Sequence, residues 1–402
     1  MKENNEWLFY RPTGEYILSE TEDKRTALYT FLPHPLTEVE VKVDEELSSL
    51  LCTANRLLGR LDGMSGFLPN VQAVELILMH KEALLSCQID GKEASLYNAL
   101  DTSRKRNDKT SPIINHTSAM RLGLDRVQKN KYSNRLLCEI HSIMTKDIEN
   151  ADRGTFRNKL MIPGKLVVST NTTPTYYPTA PEHFPAALSD LERFIRRVDE
   201  FDAMLKTALS FYQFETIRPF VIGNGMIARM LTYLVLFDNK LITRPLACFS
   251  HFLSFNKMEY KDRMELLHRR RDYEQWAKFF IRSIIYAVND SLAMIKSWLC
   301  LRKNNLAKIE ASGTSVKAIK PLYDVIERFP VFDINTIARE TGISYNTGAA
   351  AVKRMSELKI VRQTNKMTRN RDYAYVDFLN CFFSEDMLSF PMHEINKQEE
   401  VE

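Results

Sequence analysis

The chain has little of what would mark it for a membrane or for secretion. No stretch of its 402 residues approaches about 18 uninterrupted apolar positions, and the opening Met1-Lys2-Glu3-Asn4-Asn5-Glu6 has no apolar signal core. Cysteine is sparse. The six, Cys52, Cys87, Cys138, Cys248, Cys300 and Cys381, are widely scattered with no short pairing, so they read as reduced, mostly core thiols rather than a disulfide frame or zinc site. The eight His are equally dispersed and make no His-Cys-carboxylate cluster. A net charge of +4 is small for this size; it argues against bulk nucleic-acid or membrane binding by the whole chain and permits a local basic face. What remains is a chain with 44% hydrophobic residues, able to bury ample core in two or three domains, with the cytoplasm as its default location.

The most informative stretch is Arg218-Pro219-Phe220-Val221-Ile222-Gly223-Asn224-Gly225-Met226-Ile227-Ala228-Arg229. Gly223 and Gly225 let the backbone approach a ligand closely and adopt positive φ, and the apolar run Met226 to Phe237 has helical character. Free amides in a first helical turn, with the positive end of the helix dipole, make a phosphate cradle. A tight turn between two helices is the plainer alternative.

The run from Gln213 to Arg229 resembles the signature of the Fic family, His-Pro-Phe-x-Asp/Glu-Gly-Asn-Gly-Arg-x-x-Arg, in order and spacing. The resemblance implies a mainly α fold, a Fic-type helical bundle with a small β-hairpin flap, and transfer of AMP from ATP to a protein hydroxyl with Mg²⁺. It assigns the general base to position 218, the metal ligand to 222, and phosphate binding to Gly223, Asn224, Gly225, position 226 and Arg229. Three of those positions are substituted. Arg218, with a pKa above about 12, cannot accept a proton near neutral pH. Ile222 offers no side-chain oxygen to a hard cation. Met226 removes a bidentate phosphate clamp. General-base help is worth about 10²- to 10⁴-fold in rate and metal charge stabilisation several kcal/mol more. The expectation is therefore a pseudoenzyme: ATP weakly held, Mg²⁺ weakly held or not at all.

A second resemblance lies upstream, in Glu82 to Gly91. Ser86, Asp90 and Gly91 match the family's inhibitory segment, in which a Glu pairs with the second Arg of the main motif. That implies an Asp90 to Arg229 pair within one chain. A salt bridge that merely locks two helices is the alternative reading.

Along the chain, residues 1 to about 43 read as a packed arm broken by Pro12, Gly14, Pro33 and Pro35. From Asp44 to Leu61, the residues Leu47, Leu50, Leu51, Ala54, Leu57, Leu58 and Leu61 follow helical spacing, with Asp62-Gly63 as the stop. Pro69-Asn70 opens another helix, carrying Val74, Ile77 and Leu78. Helical spacing recurs at 117 to 147, 185 to 214 and 256 to 310. Within the last, His268-Arg269-Arg270-Arg271 reads as a solvated face, and Trp276, Phe279, Phe280, Ile284 and Ile285 as a core stripe. Between the first two lies an extended piece, 157 to 177, with strand character at Leu166-Val167-Val168-Ser169-Thr170. By resemblance it is the flap that docks a protein target through main-chain pairing.

Near the C-terminus, a helix from Val316 to Arg328, a short helix over Asp333 to Ser344 with Gly342 in its turn, and a helix from Asn346 to Leu358 make a helix-turn-helix pattern. Val361 to Val376 then alternates as a two-stranded wing. Between Val316 and Arg371 stand eleven Lys or Arg against five acids. Such a winged helix could hold DNA phosphates through Lys353, Arg354, Lys366, Arg369 and Arg371, or serve as a protein-docking or homodimer module.

The expected organisation is an N-terminal Fic-associated region (1–110, inhibitory segment 86–91), a Fic core (111–310, motif 218–229), a winged helix (311–385) and a polar tail (386–402). Three readings follow: an impaired, anion-binding regulatory protein; a working transferase of AMP or another phosphate-linked group; and a DNA-binding regulator on a Fic scaffold.

Overall fold

The computed structural model describes residues 12–20, 27–101, 111–161, 177–198, 201–313, 316–365, 367, 371–384 and 387. The expected strand Leu166 to Thr170 and the tail beyond 387 lie outside these residues.

The N-terminal arm is a hairpin rather than irregular chain. Strands β1 (Gly14–Glu20) and β2 (Ala27–Pro33) pair antiparallel, Gly14 opposite Pro33 and Glu20 opposite Ala27. Pro33 stands at the strand's end, where no further ladder bond is needed, so it limits the hairpin without breaking it.

Helix α1 (Glu45–Ser65) begins where the Asp44 carboxylate accepts from Leu47 N–H at 2.8 Å, and it buries the Leu47, Leu51, Ala54, Leu58 and Leu61 stripe. It runs through the expected stop at Asp62-Gly63. One glycine costs a helix interior only about 1 kcal/mol, and Asp62 is used elsewhere, accepting from Thr243 N–H at 2.7 Å and from its hydroxyl at 2.8 Å.

The centre is built on helices apolar nearly all round: α2 (Val71–Ile89), α7 (Ala203–Ile217) and α8 (Asn224–Asp238). A helix of that kind belongs inside a bundle. Around them lie α3 (Leu96–Leu100), α4 (Ser111–Lys129), α5 (Asn134–Met144), α6 (Phe184–Arg196), α9 (Phe249–Phe255), α10 (Lys257–Arg270) and α11 (Tyr273–Ala311).

Each long helical stretch seen in the sequence is two helices. The 117 to 147 stretch breaks before Ser133, whose hydroxyl accepts from Leu136 N–H at 3.3 Å. The 185 to 214 stretch restarts at Asp202, which caps Met204 and Leu205 N–H at 2.8 and 3.2 Å. The 256 to 310 stretch breaks at Arg271, at φ 56°, and restarts where Asp272 caps Gln275 N–H at 3.1 Å. His268 leaves the solvated run: its ring is buried, 3.8 Å from the Phe31 ring, while Arg269, Arg270 and Arg271 stay exposed.

Helix α11 is long and apolar enough to cross a membrane by length and composition. Its stripe of Trp276, Phe279, Phe280, Ile284 and Trp298 is buried, packed against α1, α7 and α9, as core of the bundle.

The C-terminal unit runs α12 (Val316–Arg328), β3 (Val331–Asp333), α13 (Ile334–Thr341), α14 (Tyr345–Glu357), β4 (Arg362–Gln363), β5 (Asp372–Ala374) and α15 (Val376–Asn380). The strands form one antiparallel sheet in the order β3-β5-β4, with β3 unforeseen from the sequence. Gly342 turns α13 into α14 at φ 72°. This unit docks through Glu327, buried, which accepts from Trp298 Nε1 at 2.8 Å, from Asn70 Nδ2 at 2.9 Å and from Arg302.

Candidate functional site

The ends of α2 and α7 and the start of α8 meet at one junction, and the motif loop is the link between the last two. Helix α7 ends on Arg218, which adopts φ 47° and donates its N–H to Phe214 O at 3.0 Å. Phe220 then enters the core and stacks on the His141 ring, 3.9 Å between centroids and 5° between planes. The Asn224 side chain clamps the loop from inside, accepting from Phe220 N–H at 3.0 Å and donating to Phe220 O at 2.8 Å. Gly223 holds φ 77°, a conformation costly to any residue with a Cβ, and its carbonyl accepts the first helical bond of α8 from Ile227 at 3.0 Å. The N–H groups of Gly225 and Met226 have no acceptor among the described residues.

Two residues that the sequence did not single out hold this loop. Arg157 donates from Nε to Arg218 O at 2.9 Å, from Nη1 to Lys159 O at 2.8 Å and from Nη2 to Thr179 O at 2.5 Å, and its own N–H reaches Pro219 O at 2.8 Å. Burial pulls its pKa down to about 10, so the guanidinium still carries its charge at neutral pH. His141 accepts from Gly154 N–H at Nδ1, at 3.0 Å, and so donates from Nε2 to Ile222 O at 3.1 Å. Burial pushes its pKa down to about 4, which keeps the ring neutral. A lone Arg and a lone His far from the motif carry no signal at the level of spacing.

The three substituted positions surround the start of α8. Arg218 folds back, donating from Nε to Glu215 O and from Nη2 to Glu215 Oε2, both at 3.0 Å. Ile222 brings an aliphatic side chain and a carbonyl already engaged by His141. Met226 is buried, with its Sδ 3.6 Å from Lys92 Nζ. Among the described residues no group of three or more His, Cys, Asp or Glu could hold a metal ion.

Opposite them, Arg229 is spent on α2. It donates from Nε to Ser86 Oγ at 2.8 Å, and from Nη2 to Ser86 O at 2.9 Å and Asp90 Oδ1 at 2.7 Å. Burial works against its charge, but the Asp90 carboxylate outweighs burial and the pKa is raised. Gly225 lies beneath: a Cβ there would stand 2.9 Å from Asp90 Oδ1 and 3.0 Å from Arg229 Nη1. Gly91, at φ 71°, ends α2 just beyond.

Of the expected flap, 157 to 177, residues 162–176 lie outside the described residues. Its far end joins the N-terminal hairpin, where Phe31 N–H donates to Tyr177 O at 2.8 Å. Of the expected DNA contacts, Lys353 and Arg371 are exposed. Arg354 is engaged, donating to Ser312 O at 3.1 Å and pairing with Glu357 at 3.1 Å. Lys366 and Arg369 lie outside the described residues.

Residues 131–236 match the Fic/DOC family, and residues 48–125 match the Fic/DOC family N-terminal region. Among solved structures, a Fic family protein from Desulfovibrio desulfuricans G20 is similar at 14% identity and a TM-score of 0.51, covering 83% of this chain and 97% of that one. A Fic domain containing signaling protein from Bacteroides thetaiotaomicron is similar at 13% identity and a TM-score of 0.46, covering 63% of this chain and 98% of that one. With the N-terminal region preceding the core region, residues 48–236 of this chain are those of a Fic/DOC family protein.

Proposed function

We propose that this chain is an anion- or nucleotide-binding regulatory member of its family in which group transfer is impaired. One observation carries the reading. At the position of the general base stands Arg218, its guanidinium bound to Glu215 Oε2 at 3.0 Å, a permanent cation with no lone pair for a hydroxyl proton. The residues of the loop do not fit Mg²⁺, since Ile222 has no side-chain oxygen and its carbonyl is taken by His141. They do fit an anion, because the free N–H groups of Gly225 and Met226 point from the first turn of α8. ATP is the nucleotide this reading favours, weakly held, in the cytoplasm.

Labelled ATP and Mg²⁺, incubated with the full chain alone and with a cell extract, test it. The expected result is no incorporation above background, together with measurable heat on titration with ATP. Incorporation that Asn224→Ala or Arg229→Ala abolishes would overturn the reading in favour of a working transferase.

A DNA-binding role through the C-terminal unit is a second reading, favoured by the exposed Lys353 on α14 and Arg371 beside β5 in a helix-turn-helix with an antiparallel sheet. Phosphate contacts of that kind weaken steeply with salt. A gel shift that is absent, or insensitive to salt, rejects it. A protein target at the 157–177 segment and a homodimer through the C-terminal unit complete the proposed partners.

A further inference from the structure

The end of α2 brings a second charge to α8 beside Asp90. Gly91 at φ 71° reverses the chain, and Lys92 N–H closes the turn on Cys87 O at 2.9 Å. Asp90 and Lys92 thus reach α8 from either side of one glycine, Asp90 on Arg229 and Lys92 on Met226, three positions apart on the same helical face. The two contacts differ in kind. Asp90 and Arg229 cancel as an ion pair, whereas Lys92 Nζ meets only the Met226 thioether, at 3.6 Å, a weak acceptor. Among the described residues Lys92 has no carboxylate partner. The junction therefore keeps one positive charge without an ion-pair partner among the described residues, resting on the Met226 side chain in the first turn of a 15-residue helix whose Gly225 and Met226 N–H groups are unbonded.

A second observation comes from α4, which packs against both α2 and α8. The His116 ring is 0% exposed, yet neither of its nitrogens has a hydrogen-bond partner. Burial, then the charges of Arg229 and Lys92, push its pKa down to about 3. A buried imidazole with both nitrogens unspent is costly, and this one lies within the field of both cations at the junction.

We propose that Lys92, together with the free N–H groups of Gly225 and Met226, forms a binding site for a phosphate group, with Lys92 supplying the cation that position 226 does not. The inference rests on the reading of this junction as an anion receptor, and it names the side chain that holds the anion. Met226 suits the role because a neutral, flexible thioether lets the ammonium rest against it, where a second guanidinium would repel it. The four-carbon stem of Lys92 lets the ammonium swing from sulfur to a phosphate oxygen without moving the backbone.

Calorimetric titration of the full chain with inorganic phosphate and with pyrophosphate, at low salt, tests the site. Wild type should bind, and Lys92→Met should weaken binding about tenfold or more, the scale of one charge-assisted hydrogen bond. Lys92→Arg should retain binding, and Lys92→Met with Met226→Arg should recover it by returning a cation from the other side. Lys92 is half-exposed and outside any ion pair among the described residues, so the single variants at Lys92 should fold, and melting curves check them and the double variant, whose Met226→Arg change falls on a buried position. Binding by Lys92→Met equal to wild type removes Lys92 from the site and leaves the receptor reading standing. Absence of binding by both wild type and Asp90→Asn removes the receptor reading and the site with it.

Discussion

The Arg229 guanidinium donates from Nη2 to Asp90 Oδ1 at 2.7 Å, joining the first turns of α8 to the residue that caps the end of α2 across 139 positions of chain. Arg229 is 2% exposed, so its charge has no recourse to solvent; Asp90 is its counter-ion and Ser86 accepts from its Nε and Nη2. The pair lies over Gly225, where a Cβ would stand 2.9 Å from Asp90 Oδ1 and 3.0 Å from Arg229 Nη1.

Removing that carboxylate leaves a buried cation with only Ser86 for support. Asp90→Ala should cost about 2 kcal/mol, below the full penalty for a broken buried pair because the Ser86 bonds persist. Urea unfolding measures it. An unchanged midpoint would mean that the pair contributes nothing net to stability.

A methyl group cannot be added under the pair without displacing it. Gly225→Ala puts a Cβ 2.9 Å from Asp90 Oδ1 and should destabilise by about 1–3 kcal/mol. In an Asp90→Gly background only Arg229 Nη1, the end of a flexible side chain 3.0 Å from that Cβ, remains in the way, and the cost of the same substitution should fall; equal costs in both backgrounds would place the strain elsewhere.

Arg157 ties Arg218 O, Lys159 O and Thr179 O to one buried guanidinium. Arg157→Met strands those carbonyls and should cost about 3 kcal/mol, since each buried orphan is worth about 1–3 kcal/mol. Arg157→Lys should recover only part, having one compact charge in place of a planar fork. Thermal melts of the two variants decide; equal Tm values would reduce Arg157 to a charge alone.

Buried histidines set an acid limit. His80 and His141 have pKa values lowered to about 4, and His116 and His268 to about 3, by burial first in every case. The usual value is near 6.5. Because the unfolded chain binds these protons first, stability is fully present above about pH 6.5 and falls as pH drops through 4. Each ring contributes on the order of 2 kcal/mol to that fall. Urea midpoints recorded from pH 7.5 to 4 should decline throughout the lower half; a flat profile would mean the rings stay accessible to protons in the folded state.

Supplying the residues of the family signature at positions 218, 222 and 226 is the most direct check on the proposed impairment. Arg218→His, Ile222→Asp and Met226→Arg together should yield AMP transfer from ATP with Mg²⁺, at least about 10²-fold above wild type. The yield should rise when Asp90→Gly releases Arg229, and again when Lys92→Met removes the cation that a guanidinium at position 226 would meet. A folded combination without activity would mean that the pocket itself has drifted.

Much of the fold was legible beforehand, and the limits of that legibility have identifiable causes. The helices α1, α2, α8 and α12 are where apolar spacing placed them, because a stripe three and four residues apart survives any change in the residues between. The divisions at Ser133, Asp202 and Asp272 went unseen. A cap or a left-handed residue such as Arg271 ends a helix through one backbone angle and leaves the apolar period on either side intact. The hairpin of β1 and β2 was hidden by prolines that stand at its margins.

The sequence by itself determined the family resemblance, the register of the motif and which residues, Arg218, Ile222 and Met226, stand at three of its positions, since each of those depends on residue identity at a position. Only the tertiary structure decided that Arg157 and His141 hold the loop, that His116 lies unsatisfied beside the junction, and that Lys92 stands over Met226. The physical reason is that periodicity records which face of a helix is buried, while the partner across that face is set by how whole helices pack.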